Sequence, residues 1–450
     1  MVTTIKVGML GLGTVGSGVV ERLREAATKI EQMQGVRFQL AMVAVHHLNA
    51  PRRVVLPVDT RLTDSIDAVV TDPEIQLVVE VMGTVATAKA AIITALQHGK
   101  SVVTANKDLI ATAGDQLVAL AQQRRCDLFY EASVAGGIPI LRTLTDSYAT
   151  DTVQSVTGII NGTANYILSA MTRTGQSYAE ALAAAQRLGY AEADPSHDVQ
   201  GIDAAYKLII LSRFAFGQGL TVKQVQPVGI TNVTAAQCRQ AAVNGWQIKL
   251  LAQAQQHGQR LYCRVAPVAV GQDQALSQVG GVQNGIMIAS QAIGDSLYTG
   301  PGAGSSATAN SVLNDMVVAG QRIRTGIRGA AFNRNHHQLT VTHFNQLAQS
   351  YLIFSDLPTA ILTRYANEER FTLKVLGNQS YQTGTLWPEQ LANLEAEAHV
   401  TAIPIAESAV LPKQVAALPV QAGIAIWKRT RSYSILYGSV FFWTLNPAML

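Results

Sequence analysis

Cysteine is scarce: Cys126, Cys238 and Cys263 are the whole complement. They share no C-x-x-C spacing, so neither a disulfide framework nor a zinc site can be built from them, and a reducing cytoplasm is the compartment that fits. Charge is scarce as well. Charged residues make up 14% of the chain against 48% hydrophobic, which speaks for packed rather than disordered structure. The formal net charge is only +4 and no Lys/Arg run occurs, so nucleic acid is not an expected partner. No apolar run reaches about 18 residues, so no membrane span is expected. No basic segment precedes an apolar one at the N-terminus, so no signal peptide is expected either. What the chain does have is length: 450 residues exceed a single core and predict about three domains.

One further absence lies in the first 150 residues. Residues 5–10 read as a strand running into GLGTVG (Gly11, Leu12, Gly13, Thr14, Val15, Gly16), and a helix follows with apolar positions at Val19, Val20, Leu23 and Ile30. Dinucleotide binding needs this order: the glycines permit a tight turn and close backbone approach, and the helix N-terminus receives the pyrophosphate. A glycine-rich turn without a ligand is the alternative. The next strand, residues 38–45, ends without the Asp or Glu that accepts the ribose hydroxyls of NAD. His46, His47, Asn49, Arg52 and Arg53 follow instead. A 2′-phosphate would be accepted there, which favours NADP with NAD still admissible; a solvated loop with two arginines accounts for the same residues.

Further βα units follow. Residues 76–81 form a strand ending at Met82-Gly83-Thr84, residues 86–98 a helix, and residues 101–104 a strand that runs into Ala105, Asn106 and Lys107. A lysine just past the carboxyl end of a parallel strand faces the crevice where ligands bind. Residues 127–133 read as another strand, followed by VAGGIP; its carbonyls, next to Glu131, either gather on a hard cation or simply make a turn.

The chain is organised around Gly189 to Lys207, GYAEADPSHDVQGIDAAYK. A loop carries Glu192, Asp194 and Asp198, and a helix then places Asp203 and Lys207 on one face, four residues apart. Ile202, Ala204, Ala205, Leu208, Ile209 and Ile210 make that helix a buried one, an unusual place for charges. A surface salt bridge is the plainer reading. The sharper one is an active site, with Lys207 donating a proton and the carboxylates holding a small cationic substrate.

Taken together, GLGTVG, TANK (104–107), EASVAGGIPI (131–140), NGTANYIL (161–168), GYAEADPSHDVQGIDAAYKL (189–208) and YTGPGAGSSATANSVLND (298–315) resemble homoserine dehydrogenase over roughly residues 1–325. The resemblance implies reversible reduction of L-aspartate 4-semialdehyde to L-homoserine with NAD(P)H, in the threonine and methionine branch of amino-acid biosynthesis. It makes Lys207 the proton donor and Lys107 a second active-site lysine. Glu192 and Asp203 become substrate-binding carboxylates. The turn residues Gly11, Gly13, Thr14, Val15 and Gly16, with Lys107 and Gly302, become cofactor contacts. Glu131, Val134, Gly136 and Ile138 match a sodium site near a dimer interface, in a homodimer or homotetramer. The chemistry agrees with the residue types: hydride arriving at an aldehyde leaves an alkoxide, which an ammonium stabilises and protonates. Burial on an apolar helix would lower a lysine's pKa and make it the better acid.

The expected fold is α/β. A Rossmann-type domain spans 1–140 and is completed by about 300–325; an α+β substrate-binding and dimerisation domain spans 141–300; a small C-terminal βα domain, a degenerate ACT-like one, spans 345–440. Within the second, residues 151–160, 265–270 and 286–293 read as strands, 161–174 and 178–188 as helices, and 241–254 as one core-facing element. A helix of 307–318 should return to the first sheet, and the basic stretch 320–335 reads as a linker. In the last domain, strands are expected at 350–354, 372–376, 400–405, 424–427 and 432–436, with a helix at 359–369. Its first turn, SDLPTA, lacks the proline-glycine pair of the family's amino-acid-sensing module, which argues against threonine feedback. The apolar tail 441–450 is expected to pack on a partner subunit. Two other functions compete: a phosphorylating aspartate semialdehyde dehydrogenase, which would need Cys126 as nucleophile, and a catalytically inactive amino-acid sensor.

Overall fold

The computed structural model describes residues 2–333, 338–377, 379–398 and 400–406. The first sheet is wholly parallel: β1 (Thr3–Leu10), β2 (Val36–Ala44), β3 (Arg61–Thr63), β4 (Leu77–Glu80), β5 (Ser101–Thr104) and β6 (Leu128–Phe129), in the order β3-β2-β1-β4-β5-β6. Helices α1 (Thr14–Gln34), α2 (Ile66–Val70), α3 (Val85–Gln97) and α4 (Lys107–Gln123) lie between its strands. Every residue of β4 and β5 is buried, as expected of a sheet covered on both faces. The chain runs outward in opposite directions from β1 and β4, so a crevice opens between them at the carboxyl ends of the strands. This is the Rossmann-type, α/β architecture expected from the sequence.

The strand expected over 127–133 is shorter, because its hydrogen-bonding groups are used elsewhere. After β6 the backbone tightens into a 3₁₀ turn at Glu131–Ser133. The Glu131 N–H donates to Asp315 Oδ2 at 2.8 Å rather than to a neighbouring strand. Its carboxylate reaches forward to accept from the Leu141 and Arg142 N–H groups at the start of α5 (Ile140–Asp146).

The second sheet is mixed: β7 (Val153–Ile159), β8 (Trp246–His257), β9 (Arg260–Gly271), β10 (Gln283–Ser290), β11 (Gly294–Pro301) and β12 (Thr340–His343), in the order β11-β10-β7-β8-β9-β12. Only the β9/β12 pair among these is parallel. Between β7 and β8 the chain forms α6 (Gly162–Thr174), α7 (Tyr178–Arg187), α8 (Ser196–Val199), α9 (Ile202–Phe216), α10 (Val222–Val225) and α11 (Ala235–Val243). The single element expected over 241–254 is therefore two, the end of α11 and most of β8, divided at Gly245, whose φ of +86° no helix or strand accepts. Likewise β10 stops at Ser290 rather than at Ile293, and Gly294 (φ +82°) starts the return strand.

Helix α12 (Ser305–Thr325) packs back against α1 and the first sheet and runs well past Val318. Gly320, which reads as a breaker, is instead where the helix lies against Phe38: a Cβ there would sit 2.9 Å from the ring. The basic residues beyond it do not form a free linker. Arg322 pairs with the buried Asp127 at 2.9 Å and lies over the Phe129 ring, and Arg328 donates to the Gly99 carbonyl.

Past β12, the order β13 (Tyr351–Phe354), α13 (Thr359–Glu368), β14 (Leu373–Gly377), β15 (Ser380–Thr383), α14 (Pro388–Ala398), β16 (Thr401–Pro404) makes a βαββαβ unit. Its sheet is antiparallel with the order β14-β15-β13-β16, the ferredoxin-like arrangement. The unit closes with β16, ending at Pro404, against β13; β15, the hairpin partner of β14, is absent from the sequence reading. The strands expected at 424–427 and 432–436, and the tail 441–450, lie outside the described residues, as does Arg334.

Candidate active site

The first element of the site is the turn after β1. Gly11 has a φ of +97° and a Cβ on it would meet the Val81 carbonyl at 2.8 Å; one on Gly16 would meet the Gly11 carbonyl at 2.4 Å. Both positions are closed to side chains. Gly13 differs: a Cβ there would meet nothing within 4 Å, so this face of the turn is open. Gly13 also stands at the N-cap of α1, with no side chain capping the helix and no acid in its first turn. The amides of Thr14, Val15 and Gly16 are thus left for an anion, on the positive end of the helix dipole. The return segment closes in from the other side: Ser305 Oγ donates to the Thr14 carbonyl at 2.8 Å, and the Gly302 carbonyl lies where a Cβ on Gly136 would be. At the end of β2, His46, His47, Asn49 and Arg53 are exposed. Arg52 is folded back onto the carbonyls of His47 and Leu48 and is thereby tied to its own loop.

The second element is a pair of lysines on one carboxylate. Lys107 is the first residue of α4, directly past β5, and Lys207 lies in the second turn of α9. Asp203, on the same face of α9, is buried between them. Its Oδ2 lies 2.7 Å from Lys207 Nζ and its Oδ1 3.3 Å from Lys107 Nζ. Lys207 also donates to the Ile160 carbonyl at 2.8 Å, and Lys107 pairs with Asp108 at 3.2 Å. Burial alone would raise the Asp203 carboxyl, but the two ammoniums outweigh it and hold it below the usual range. Lys107 shows the reciprocal effect: burial pulls it down, and Asp203 and Asp108 together push it above an ordinary lysine.

Asn161, at the end of β7, completes the cluster. Its Oδ1 caps α6 on the Ala164 N–H, and its Nδ2 donates to both Asp198 Oδ1 (2.7 Å) and Asp203 Oδ2 (2.9 Å). The loop of 189–201 therefore brings Asp198 to Asp203, while Glu192 stands exposed on the same loop. Sequence reading gave Asn161 no role; its signal was a polar residue ending an apolar strand immediately before a helix.

The descriptions of two sequence families fit this chain in tandem. The homoserine dehydrogenase NAD-binding domain matches residues 11–131 and the homoserine dehydrogenase domain matches residues 139–317. The Bacillus subtilis homoserine dehydrogenase is 40% identical over 328 residues, covering 73% of this chain and 76% of that one. The Mycobacterium leprae homoserine dehydrogenase is 44% identical over 331 residues, covering 72% and 74%. This chain belongs to the homoserine dehydrogenase family. A crystal structure of a homoserine dehydrogenase from Thiobacillus denitrificans superposes with a TM-score of 0.83 at 32% identity, over 90% of this chain and 99% of that one. A hyperthermophilic archaeal homoserine dehydrogenase in complex with NADPH gives 0.59 at 26% identity, over 70% and 98%. A nicotinamide dinucleotide is accordingly the class of cofactor.

The remaining candidates sit at the junction of the two sheets. Glu131 is buried, and burial together with the nearby Asp315 pushes its carboxyl up to about 7 despite the two backbone N–H groups it accepts. Asp315 is raised to about 6, again by burial, with Arg142 Nη2 only 2.5 Å away. The Gly136 carbonyl accepts from Ser311 Oγ at 2.6 Å, and the Ile138 carbonyl from the Ile140 N–H at 2.8 Å. No group of three or more His, Cys, Asp or Glu side chains arranged for a metal occurs among the described residues. No helix among them is long and apolar enough to cross a membrane.

Proposed function

We propose that this enzyme reduces L-aspartate 4-semialdehyde to L-homoserine, and runs the reverse oxidation, with Lys207 as the proton donor. The observation that carries the assignment is Asp203, which holds one lysine from each half of the molecule on its two oxygens at the mouth of the nucleotide crevice. The bound cofactor supplies the hydride. Lys207, aimed by Asp203 and the Ile160 carbonyl, protonates the alkoxide oxygen that hydride addition creates, and Lys107 stabilises its negative charge. Asp203 is fully engaged with the lysines and Asn161, so it serves the substrate by fixing those groups. Glu192 and Asp198 on the neighbouring loop would take the substrate's α-ammonium. The test is loss of NADPH absorbance on adding the aldehyde with no phosphate present; no turnover would overturn the assignment.

The phosphorylating alternative meets a specific obstacle. Cys126 is buried at the start of β6, at the amino end of the strands and away from the crevice. Burial also raises its thiol pKa, the opposite of what a nucleophile needs.

For the cofactor, we propose NADPH over NADH. The exposed Arg53, His46 and His47 can meet a 2′-phosphate at the end of β2, where no carboxylate would repel it. A sodium ion is proposed at the 131–138 loop, held by main-chain oxygens of Glu131, Val134, Gly136 and Ile138. The Glu131 carboxylate is committed to the start of α5, so the carbonyls would do the holding. A sodium-dependent rise in Tm, absent with lithium, tests it. An assembly of two or four copies is proposed because β11 is a sheet edge that exposes Leu297; sedimentation decides its size. Cytoplasmic residence suits three buried free thiols.

A further inference from the structure

Glu80 ends β4 with none of its surface exposed, in the middle of the first sheet. Among the described residues no cation pairs with it. A carboxylate in such a place persists only where donors satisfy it. Burial pushes its carboxyl up, and hydrogen bonds from Thr104, Met82 and Asn106 pull the other way.

Those donors belong to the two turns that build the floor of the active site. Oε1 accepts the Met82 N–H at 2.8 Å, in the turn after β4. Oε2 accepts the Thr104 hydroxyl at 2.6 Å, at the end of β5. Thr104 Oγ1 accepts in turn from the Asn106 N–H at 3.0 Å. Asn106 is the N-cap of α4: its Oδ1 takes the Leu109 N–H, and its Nδ2 reaches across to the Thr84 carbonyl at 3.3 Å. Both turns are therefore tied to one acid, and the next residue out of the knot is Lys107. The carboxylate accepts from both turns at once, one oxygen to each, whereas a glutamine would put a donor amide on one of the two arms.

We propose that Glu80 is a positioning residue that, through Thr104 and Asn106, fixes the start of α4 so that Lys107 reaches Asp203. The proposal rests on the reading of Lys107 as part of the reaction site. Lys107's hold on Asp203 depends on where its backbone starts, because a 3.3 Å contact made by a long, one-third exposed side chain is easily lost. A misplacement of about 1 Å at such a site costs up to about a hundredfold in rate.

The test uses Thr104→Val, Thr104→Ser and Glu80→Gln in the full chain. Thr104→Val removes the hydroxyl at nearly constant volume and leaves the Glu80–Met82 bond in place. It should lower kcat about tenfold or more while the Kd for NADPH, read by fluorescence, changes less than about twofold. Thr104→Ser should restore most of that loss. Glu80→Gln should lower kcat as well, because one of its two arms becomes an amide that cannot accept and one turn loses its tie. A second measurement does not depend on turnover: competitive acetylation of Lys107 across pH, followed by mass spectrometry. In the wild type Lys107 should titrate above an ordinary lysine, and in Thr104→Val it should fall back toward one, with Thr104→Ser like the wild type. An unchanged Lys107 titration in Thr104→Val, or variants that lose only Tm at constant kcat, would overturn the proposal. If the wild type fails to reduce the aldehyde, the reaction assignment falls, and the acetylation profile still decides what Glu80 does.

Discussion

The two halves of the enzyme each deliver a lysine to Asp203, but they hold it differently. Lys207 sits within α9 at 12% side-chain exposure, pinned by Asp203 at 2.7 Å and by the Ile160 carbonyl. Lys107 heads α4 at 34% exposure, with two carboxylates at 3.3 and 3.2 Å and its backbone set by the Thr104–Asn106 turn. The first is a fixed group aimed along one line, which suits proton delivery. The second is a looser charge at the positive end of a helix, which suits stabilising an anion. On the proposed reading, the half built on the parallel sheet supplies the cofactor's seat and a charge, and the half built on the mixed sheet supplies the acid.

The largest expected effect tests that division. Lys207→Ala should cut kcat by about a hundredfold or more, the usual value of general acid catalysis, with KM little changed. Lys107→Ala should cut kcat less and raise KM for the aldehyde, since a charge that holds the substrate is lost together with its help to the alkoxide. Steady-state kinetics of the two variants decide the matter. Equal effects on kcat and KM from both would erase the distinction between the halves.

Next in size is cofactor choice, which belongs to the nucleotide half alone. His46→Asp places a carboxylate at the end of β2, the position proposed for the 2′-phosphate, and should move the kcat/KM ratio of NADPH over NADH toward NADH by about tenfold through repulsion. The lysine cluster should be unaffected, so kcat with saturating NADH should stay at the wild-type level. A wild type that already prefers NADH strongly would refute the reading of the exposed Arg53, His46 and His47.

Much of this division can be read from the chain. The glycines at 11, 13 and 16 announce themselves because the turn forbids side chains at two of them and leaves the third open. Lys107 and Lys207 are legible by position, one past a strand end and one four residues from an aspartate. The ties between them are not. Asp203 meets Lys107 across two domains, and Glu80 meets Thr104 across a βα unit, and no local period records either contact. Gly320 misleads for a related reason: it looks like a helix stop, and only the Phe38 ring beneath it shows why a helix would want it. Strand β15 was missed because SYQT is short and polar, yet it pairs on both sides.

A smaller effect is expected at the seam between the halves, where Glu131 and Asp315 are raised to about 7 and about 6. An acid whose folded pKa is raised binds its proton in the folded state at a pH where the unfolded chain has lost it. Stability should therefore fall as pH climbs from the unfolded carboxylate values toward 7, by up to about 1.4 kcal/mol per pH unit for each proton held, and level off above. Asp203, lowered by its lysines, acts in the opposite sense and only in more acidic solution, where its protonation removes stability. Urea unfolding between pH 5 and 8 should show the decline, and Glu131→Gln should flatten it. A stability that rises over that range would mean the seam is not built around protonated acids.

The smallest expected effect is none at all, and it concerns the C-terminal unit. Control of either lysine from outside the two halves would run through this βαββαβ module, if a small amino acid could bind at the turn after β13. That turn reads Ser355, Asp356, Leu357, Pro358, Thr359, and its Leu357 N–H is already taken by Ser355 Oγ at 3.2 Å. Pro358 stands at the N-cap of α13 and offers no N–H. A ligand carboxylate needs backbone donors brought close, for which glycine is the usual residue, and this turn has no glycine. Threonine at millimolar concentration should leave both Tm and turnover where they were. Were it bound with a Kd a hundredfold below its concentration, stability would rise by about 2.7 kcal/mol, which is easily seen in a thermal melt. A threonine-dependent rise in Tm that disappears in Asp356→Ala would show that this turn binds without its glycine, and that the two lysines answer to a third region.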